Sequence, residues 1–283
     1  MHLMRTSLLA GCLVLLLARA AAQQTGSAAL PEIHQLIKEV QAHQKSLEKV
    51  RENYTFSSFQ TTQDMDANGQ VKKTETVEGE DFFVNGHAIE RILKKNGKQL
   101  DTHEEQKETE RVTKLVEKAE KTPPDQPLEG QQIKVSRLLE LMDVRNERRE
   151  MFRGRAAIVF DFVGRKDAST HGVAEDASKK LKGTIWIDEA DRQVAHLEVF
   201  FDDNFRLGGG LVANVQAGTS FRFDQEQVNG EVWLPTGAEM KLDERLFMVK
   251  AVRQHFTERD FGYKKFRVDA EQGKGAQVVS GAK

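Results

Sequence analysis

Asp64-Met65-Asp66-Ala67-Asn68-Gly69, with Glu75 at the twelfth position, carries the residue pattern of a calcium-binding loop. Such a loop needs oxygen ligands at alternate positions, a glycine at the sixth for the bend and a two-oxygen carboxylate at the twelfth. Asp64, Asp66, Asn68 and Glu75 would be the ligands, and Val71 fills the apolar eighth position. The flanks argue for a different structure. Phe59 to Gln63 is β-branched and amide-rich where an EF-hand needs an incoming helix, and Asn68-Gly69 is the strongest short hairpin signal. The preferred reading is a plain hairpin, with calcium binding as its alternative and no metal otherwise expected.

Other reactive residue types do not assemble into a catalytic pattern. His34, His43, His87, His103, His171, His196 and His255 lack metal-ligand spacing, and each is expected at the surface or a rim. Gly208-Gly209-Gly210 has no Lys-Ser/Thr behind it, so a strand kink or bulge is expected there rather than a phosphate loop. No GxSxG surrounds a serine, and Asp202-Asp203 reads as a solvated turn. Neither an enzyme activity nor a cofactor is expected.

Arg145, Arg148, Arg149, Arg153 and Arg155 form the densest basic cluster. A solvated edge strand whose charges deter aggregation is the preferred reading, with contact to anionic headgroups or an acidic partner as the alternative.

The elements that must carry these residues start with an export signal. Arg5 precedes an apolar run from Leu8 to Leu17, and Ala20 to Ala22 closes it, so residues 1–22 read as a cleaved signal peptide and the mature protein as periplasmic. Lipid attachment at Cys12 is the alternative. Without it the only cysteine leaves with the signal. Loss of Arg5 and Arg19 leaves 40 basic against 44 acidic residues and moves the net charge from −2 to −4. That balance gives no nucleic-acid footprint.

Residues 23–29 read as a flexible start. Ile33, Leu36, Ile37, Val40, Leu47 and Val50 follow helical spacing behind Pro31 and Glu32. From Tyr54 the texture turns to β, with Asn68-Gly69, Asn85-Gly86 and Asn96-Gly97 as hairpin turns. Thr102 to Lys121 predicts a charged helix and Val135 to Met142 a shorter one. Together they are a helical insertion over about 102–143 that lies across the sheet or over its edge. Strands are expected at Ala156 to Val163, Gly183 to Asp188, Val194 to Phe201, Thr219 to Phe223, Val232 to Leu234, Leu246 to Val252 and Phe261 to Val268, with a polar loop at Asp167 to Lys179. Residues 269–283 read as a disordered tail. Several strands are apolar on both parities, as in Ile185-Trp186-Ile187, so both faces need cover.

Lys182-Gly183-Thr184-Ile185-Trp186-Ile187-Asp188, followed by Arg192-Gln193-Val194-Ala195-His196-Leu197-Glu198, resembles the "G-x-hydrophobic-W-hydrophobic-D … hydrophobic-x-x-hydrophobic-E" strand pair of the LolA/LolB-like superfamily of outer-membrane lipoprotein-sorting proteins. The signal segment, leading helix, β meander and closing strands extend the resemblance over roughly Ala29 to Val268. It implies one α+β domain over residues 30–268: a strongly curved antiparallel sheet, an incomplete β barrel, with helices across its concave face. It also implies an apolar cavity for acyl chains, which gain roughly 0.8 kcal/mol for each CH₂ removed from water.

The expected function is therefore a periplasmic carrier or binding protein for a lipid or a lipoprotein acyl chain. Its partners would be a lipid or acylated protein, with inner- or outer-membrane envelope proteins beside them, and not nucleic acid. The expected lining is Phe160, Phe162, Ile185, Ile187, Leu197, Val199, Phe221, Phe223 and Leu234. Sequence alone leaves open which strand parity faces inward. An envelope scaffold with a filled barrel and a calcium-stabilised envelope protein are the other readings.

Overall fold

A computed structural model describes residues 29–124, 126, 128, 135–247, 249–267 and 277–279. The expected signal peptide and most of the expected tail lie outside the described residues.

The chain opens with α1 (Ile33–Arg51), whose backbone at His34 and Gln35 donates to the Glu32 carboxylate. It continues through β1 (Tyr54–Met65), β2 (Val71–Val84), β3 (His87–Lys95) and β4 (Lys98–Gln99). The helices α2 (Thr102–Lys121) and α3 (Val135–Glu140) follow, then β5 (Met142–Phe152), β6 (Arg155–Gly164), α4 (Gly172–Ser178), β7 (Leu181–Asp188) and β8 (Gln193–Phe201). Short β9 (Phe205–Leu207) and β10 (Ala213–Val215) flank a 3₁₀ turn. The long strands β11 (Ser220–Val228), β12 (Val232–Leu246) and β13 (Lys250–Arg267) come next, and β14 (Gln277–Val279) ends the described chain.

All these strands join one open sheet in the order β4-β3-β2-β1-β13-β12-β11-β8-β7-β6-β5, and the described pairings are all antiparallel. The fold is an α+β incomplete barrel. Asn85-Gly86 and Asn96-Gly97 make hairpin turns in which both residues take left-handed φ, 48° and 74°, then 50° and 72°. Neighbouring strands therefore twist together without splaying.

Ile33, Leu36, Ile37 and Val40 of α1 are buried against Ile158, Phe160, Phe162, Ile185, Ile187, Val194 and Leu197, with Leu138 of α3 alongside. At its far end Val50 reaches a second cluster built on Tyr54, Val232 and Leu234. One helix thus touches both halves of the sheet's inner face, which requires the sheet to bend around it. By contrast, α2 lies over the β3 edge. Asp101 and Glu104 cap its start reciprocally. Its stripe of Val112, Leu115, Val116 and Ala119 packs on Phe82, Val84 and Ile89 of the outer face. Glu108 Oε1 accepts from the Ile92 N–H at 2.7 Å, and Arg111 Nη2 donates to the Glu90 carbonyl at 2.7 Å. Those side chains satisfy backbone groups that would otherwise template another strand.

Three expectations need correction. Leu246 to Val252 is the β12–β13 hairpin rather than a strand, because Phe247 takes φ 47° and turns the chain. The three glycines Gly208–Gly210 form a 3₁₀ turn between short strands, not a kink within one strand. The polar loop 167–179 contains α4, held by Glu175, whose carboxylate receives Arg137 and the His171 N–H. Apart from these three, Gln277–Val279 pairs with Lys265–Arg267 of β13, a stretch that runs past the end of β12 pairing.

Candidate functional site

Register decides the strand parity that sequence leaves open. Residues directly opposite in antiparallel neighbours share a face. One row crosses the sheet as Gln60, Glu258, Ala238, Phe223, Leu197, Ile185 and Phe160. The next row runs Thr62, Phe256, Met240, Phe221, Val199, Gly183, Phe162 and Val144. A third joins Ile158, Ile187 and Val194. Eight of the nine expected lining residues therefore stand in three adjacent rows of one face. The ninth, Leu234, belongs to the separate cluster with Tyr54.

The two halves of this face differ. Phe160, Phe162, Ile185, Ile187, Leu197 and Val199 are buried beneath α1. Toward β11–β13 the helix cover ends: Phe221 is 40% exposed, and Phe223, Met240, Leu242 and Phe256 are half-buried. Phe221 and Phe223 stack with ring centroids 6.4 Å apart. The inner face is thus a packed core on one side and a continuous, partly uncovered apolar strip on the other.

Beside that strip sits a group of carboxylates absent from the sequence reading. Asp81, Glu90, Glu258 and Asp260 lie on β2, β3 and β13 around Ser58 and Gln60 of β1. Gln60 Nε2 donates to Glu90 Oε1 at 2.9 Å. Asp81 and Asp260 are 8% and 7% exposed, and Oδ2 of the first and Oδ1 of the second lack hydrogen-bond partners. Burial, then repulsion from Glu258 and Asp81, pushes Asp260 up to about 8. Burial likewise lifts Asp81 to about 6. Gly79 makes the room: a methyl group there would stand 2.8 Å from both Glu90 Oε1 and Ser58 Oγ.

On the outer face, His196 is buried rather than at a rim. Its Nδ1 lies 2.8 Å from Asp224 Oδ1 and its Nε2 lies 3.2 Å from Glu198 Oε1. Trp186 meets the ring edge-on and Phe152 stacks on it. His87 is also buried, with Nε2 3.1 Å from the Thr122 carbonyl. The aromatic residues around His196 carried the signal: Trp186 alternates with Ile185 and Ile187, so the second face needed its own cover.

The basic cluster lies on and beside the edge strand β5, and most of its charge is paired. Arg148 meets Glu150 and Asp161, Arg149 meets Glu189, Arg153 meets Asp224 and Glu226, and Arg155 meets Asp188 and Asp191. Arg153, Arg155, Phe152 and Trp233 border an outer depression of ≈310 Å³. The Asp64–Glu75 segment forms the β1–β2 hairpin. Asp66 Oδ1 accepts from the Asn68 and Gln70 N–H groups, Asp64 Oδ1 accepts from Gln254, and Glu75 pairs with Lys73. Among the described residues, no three His, Cys, Asp or Glu side chains converge to hold a metal ion. No described helix is long and apolar enough to cross a membrane.

No protein-family model matches the chain, and no curated protein sequence matches it. Solved structures do. A domain of a protein termed an outer membrane lipoprotein-sorting protein, from Vibrio parahaemolyticus, aligns at 12% identity and TM-score 0.37 over 85% of this chain and 96% of its own. A DUF1329 family protein from Desulfovibrio piger aligns at 9% identity and TM-score 0.35, over 85% of this chain and 95% of its own. The chain is also similar to the LolA superfamily protein NE2245 from Nitrosomonas europaea, at 11% identity and TM-score 0.33 over 81% of this chain and 93% of that one.

Proposed function

We propose that this protein binds the acyl chain of a lipid or lipoprotein non-covalently on its inner sheet face, as a carrier or binding protein of the bacterial cell envelope. The uncovered apolar strip of Phe221, Phe223, Met240 and Phe256, continuous in register with the core beneath α1, is the observation that carries this reading. An acyl chain laid along the strip loses water contact over each methylene, at roughly 0.8 kcal/mol apiece. No bond needs to form, so the strip captures and releases the chain without chemistry, and only deeper entry beneath α1 would require that helix to lift. The Lys182–Glu198 strand pair and the apolar signal segment support the same reading.

Native mass spectrometry of the purified chain with phospholipid and an acylated peptide tests it. A lipid adduct that Phe221→Glu or Met240→Glu abolishes, with melting temperature retained, is the expected result. A bare polypeptide mass under all conditions would reject it. The second reading, an envelope scaffold, is favoured by the complete burial of Phe160, Ile185 and Ile187 under α1. That burial describes an interior already filled by the chain's own side chains.

A further inference from the structure

Four of the exposed large apolar side chains gather at one end of the molecule, while Met151, 70% exposed, stands on β5. Leu211 and Val212 follow the Gly208–Gly210 turn, and Phe247 and Val249 form the β12–β13 turn. The two turns are joined, since the Phe247 N–H donates to the Val212 carbonyl at 3.0 Å. Leu211, Phe247 and Val249 are 65%, 68% and 85% exposed. A soluble surface scatters such residues singly, and a cluster marks a contact.

The charges around this tip specify the contact. Arg206 of β9 and Arg245 of β12 both lie opposite Asn214 of β10, so they share one face of a three-stranded ribbon. Lys250 lies opposite Leu246 at the base of the turn. All three are exposed and none forms a salt bridge with a described carboxylate, although Arg206 lies within electrostatic reach of Asp203. The nearby acids are engaged or turned away: Asp203 pairs with Lys180, Asp243 pairs with Arg253, and Glu244 is half-buried between Val215 and Val252. The arginine-rich cluster near β5 shows the contrast, because there most guanidinium groups have acid partners.

We infer that this tip docks the protein on an anionic lipid bilayer, with Leu211, Val212, Phe247 and Val249 entering the headgroup–acyl boundary and Arg206, Arg245 and Lys250 meeting the headgroups. Apolar side chains ringed by unpaired cations match the two layers of such a surface. The geometry also relates the tip to the inner face. Met240 lies six residues before Leu246 along β12, roughly 20 Å at strand spacing. Docking would thus direct the uncovered strip toward the membrane. The inference does not depend on acyl binding, since vesicle association needs no uptake of lipid.

Sedimentation of the purified chain with phosphatidylglycerol vesicles, and separately with phosphatidylcholine vesicles, tests it. Binding to the first alone is expected, weakening steeply with salt. Leu211→Asp with Phe247→Asp should lower vesicle partitioning at least tenfold. Arg206→Glu with Arg245→Glu should lower it by roughly fivefold or more per residue. A Phe247→Trp variant keeps the test independent of how the charged variants fold. Its emission should shift to the blue on anionic vesicles and be quenched by lipids brominated along the acyl chain. Equal binding to both vesicle types, unchanged partitioning of the variants, or unquenched emission would overturn the inference. So would a dimer that the tip variants convert to monomer, which would make the tip a surface between copies of this chain.

Discussion

Phe162 of β6 lies across from Gly183 of β7, in the space that a side chain there would fill. A methyl group on Gly183 would stand 2.5 Å from Phe162 Cζ and 2.1 Å from the Glu198 carbonyl oxygen. Neither neighbour can yield easily, because Phe162 is fully buried in the main core and Glu198 belongs to the paired strand β8. Gly183→Ala should therefore destabilise the fold by about 2 kcal/mol or more, the cost of overpacking a core. Urea unfolding measures it. A variant as stable as the parent would mean that β7 and β8 are not paired in this register.

The carboxylates beside the apolar strip predict an inverted pH dependence. An unperturbed aspartate releases its proton near 3.8, whereas Asp260 retains it to about 8 because of burial and then its neighbours Glu258 and Asp81. Between those values the folded chain binds the extra proton. The contribution to stability is complete below 3.8 and is lost as pH rises through about 8. Glu258 and Glu90 are raised in the same sense, each first by burial. Arg111 of α2 opposes this at Glu90. Asp260→Asn stays neutral throughout, so its advantage over the parent should grow from pH 5 to pH 9, reaching about 1–3 kcal/mol. Parallel pH profiles for the two proteins would show that Asp260 is ionised in the fold.

The Asp64–Glu75 hairpin predicts indifference to calcium. Asp66 is occupied by two backbone N–H groups of its own turn, at 2.8 and 3.0 Å, and Asp64 by Gln254. Glu75 stands on β2 opposite Thr62, in a salt bridge with Lys73. Melting temperatures in millimolar calcium and in chelator should coincide. Asp66→Ala should cost about 0.5–1.5 kcal/mol through the lost turn hydrogen bonds, in either buffer. A calcium-dependent rise in melting temperature that Asp66→Ala removes would reverse this reading.

Local chemistry was legible in the sequence, and long-range pairing was not. Asn85-Gly86 and Asn96-Gly97 announce their turns because asparagine and glycine tolerate left-handed backbone. The helix α1 shows in the spacing of Ile33, Leu36, Ile37 and Val40. The β12–β13 hairpin was hidden because Phe247, an aromatic, occupies the left-handed position inside an apolar run. The length of β12 was missed as well: a strand was expected only at Val232 to Leu234, whereas pairing runs on to Leu246 past Pro235 and Gly237. The inward parity of Ile185 over Trp186 follows only from register across β6, β7, β8 and β11, because both faces of β7 are apolar. The carboxylate group is likewise invisible in sequence: Asp81 and Asp260 are 179 positions apart and meet only because β1 lies between β2 and β13.

Leu36 separates binding beneath α1 from binding on the uncovered strip alone. It is fully buried at the centre of the α1 contact with β6, β7 and β8. Leu36→Ala truncates a fully buried side chain of the helix and should cost about 2–5 kcal/mol of global stability by leaving a cavity. If α1 must move for a ligand to reach Phe160 and Ile185, the same substitution makes the competent state less costly. Apparent affinity rises in proportion to the population of that state, about tenfold for each 1.4 kcal/mol by which displacement of α1 becomes easier. Titration with a fluorescent long-chain fatty acid, alongside urea unfolding, reads both quantities. Tighter binding in a less stable protein is the expected outcome for a binding face gated by α1. Lower stability with no gain in affinity would place any ligand on the uncovered strip alone, and the interior beneath α1 would then be core and nothing else.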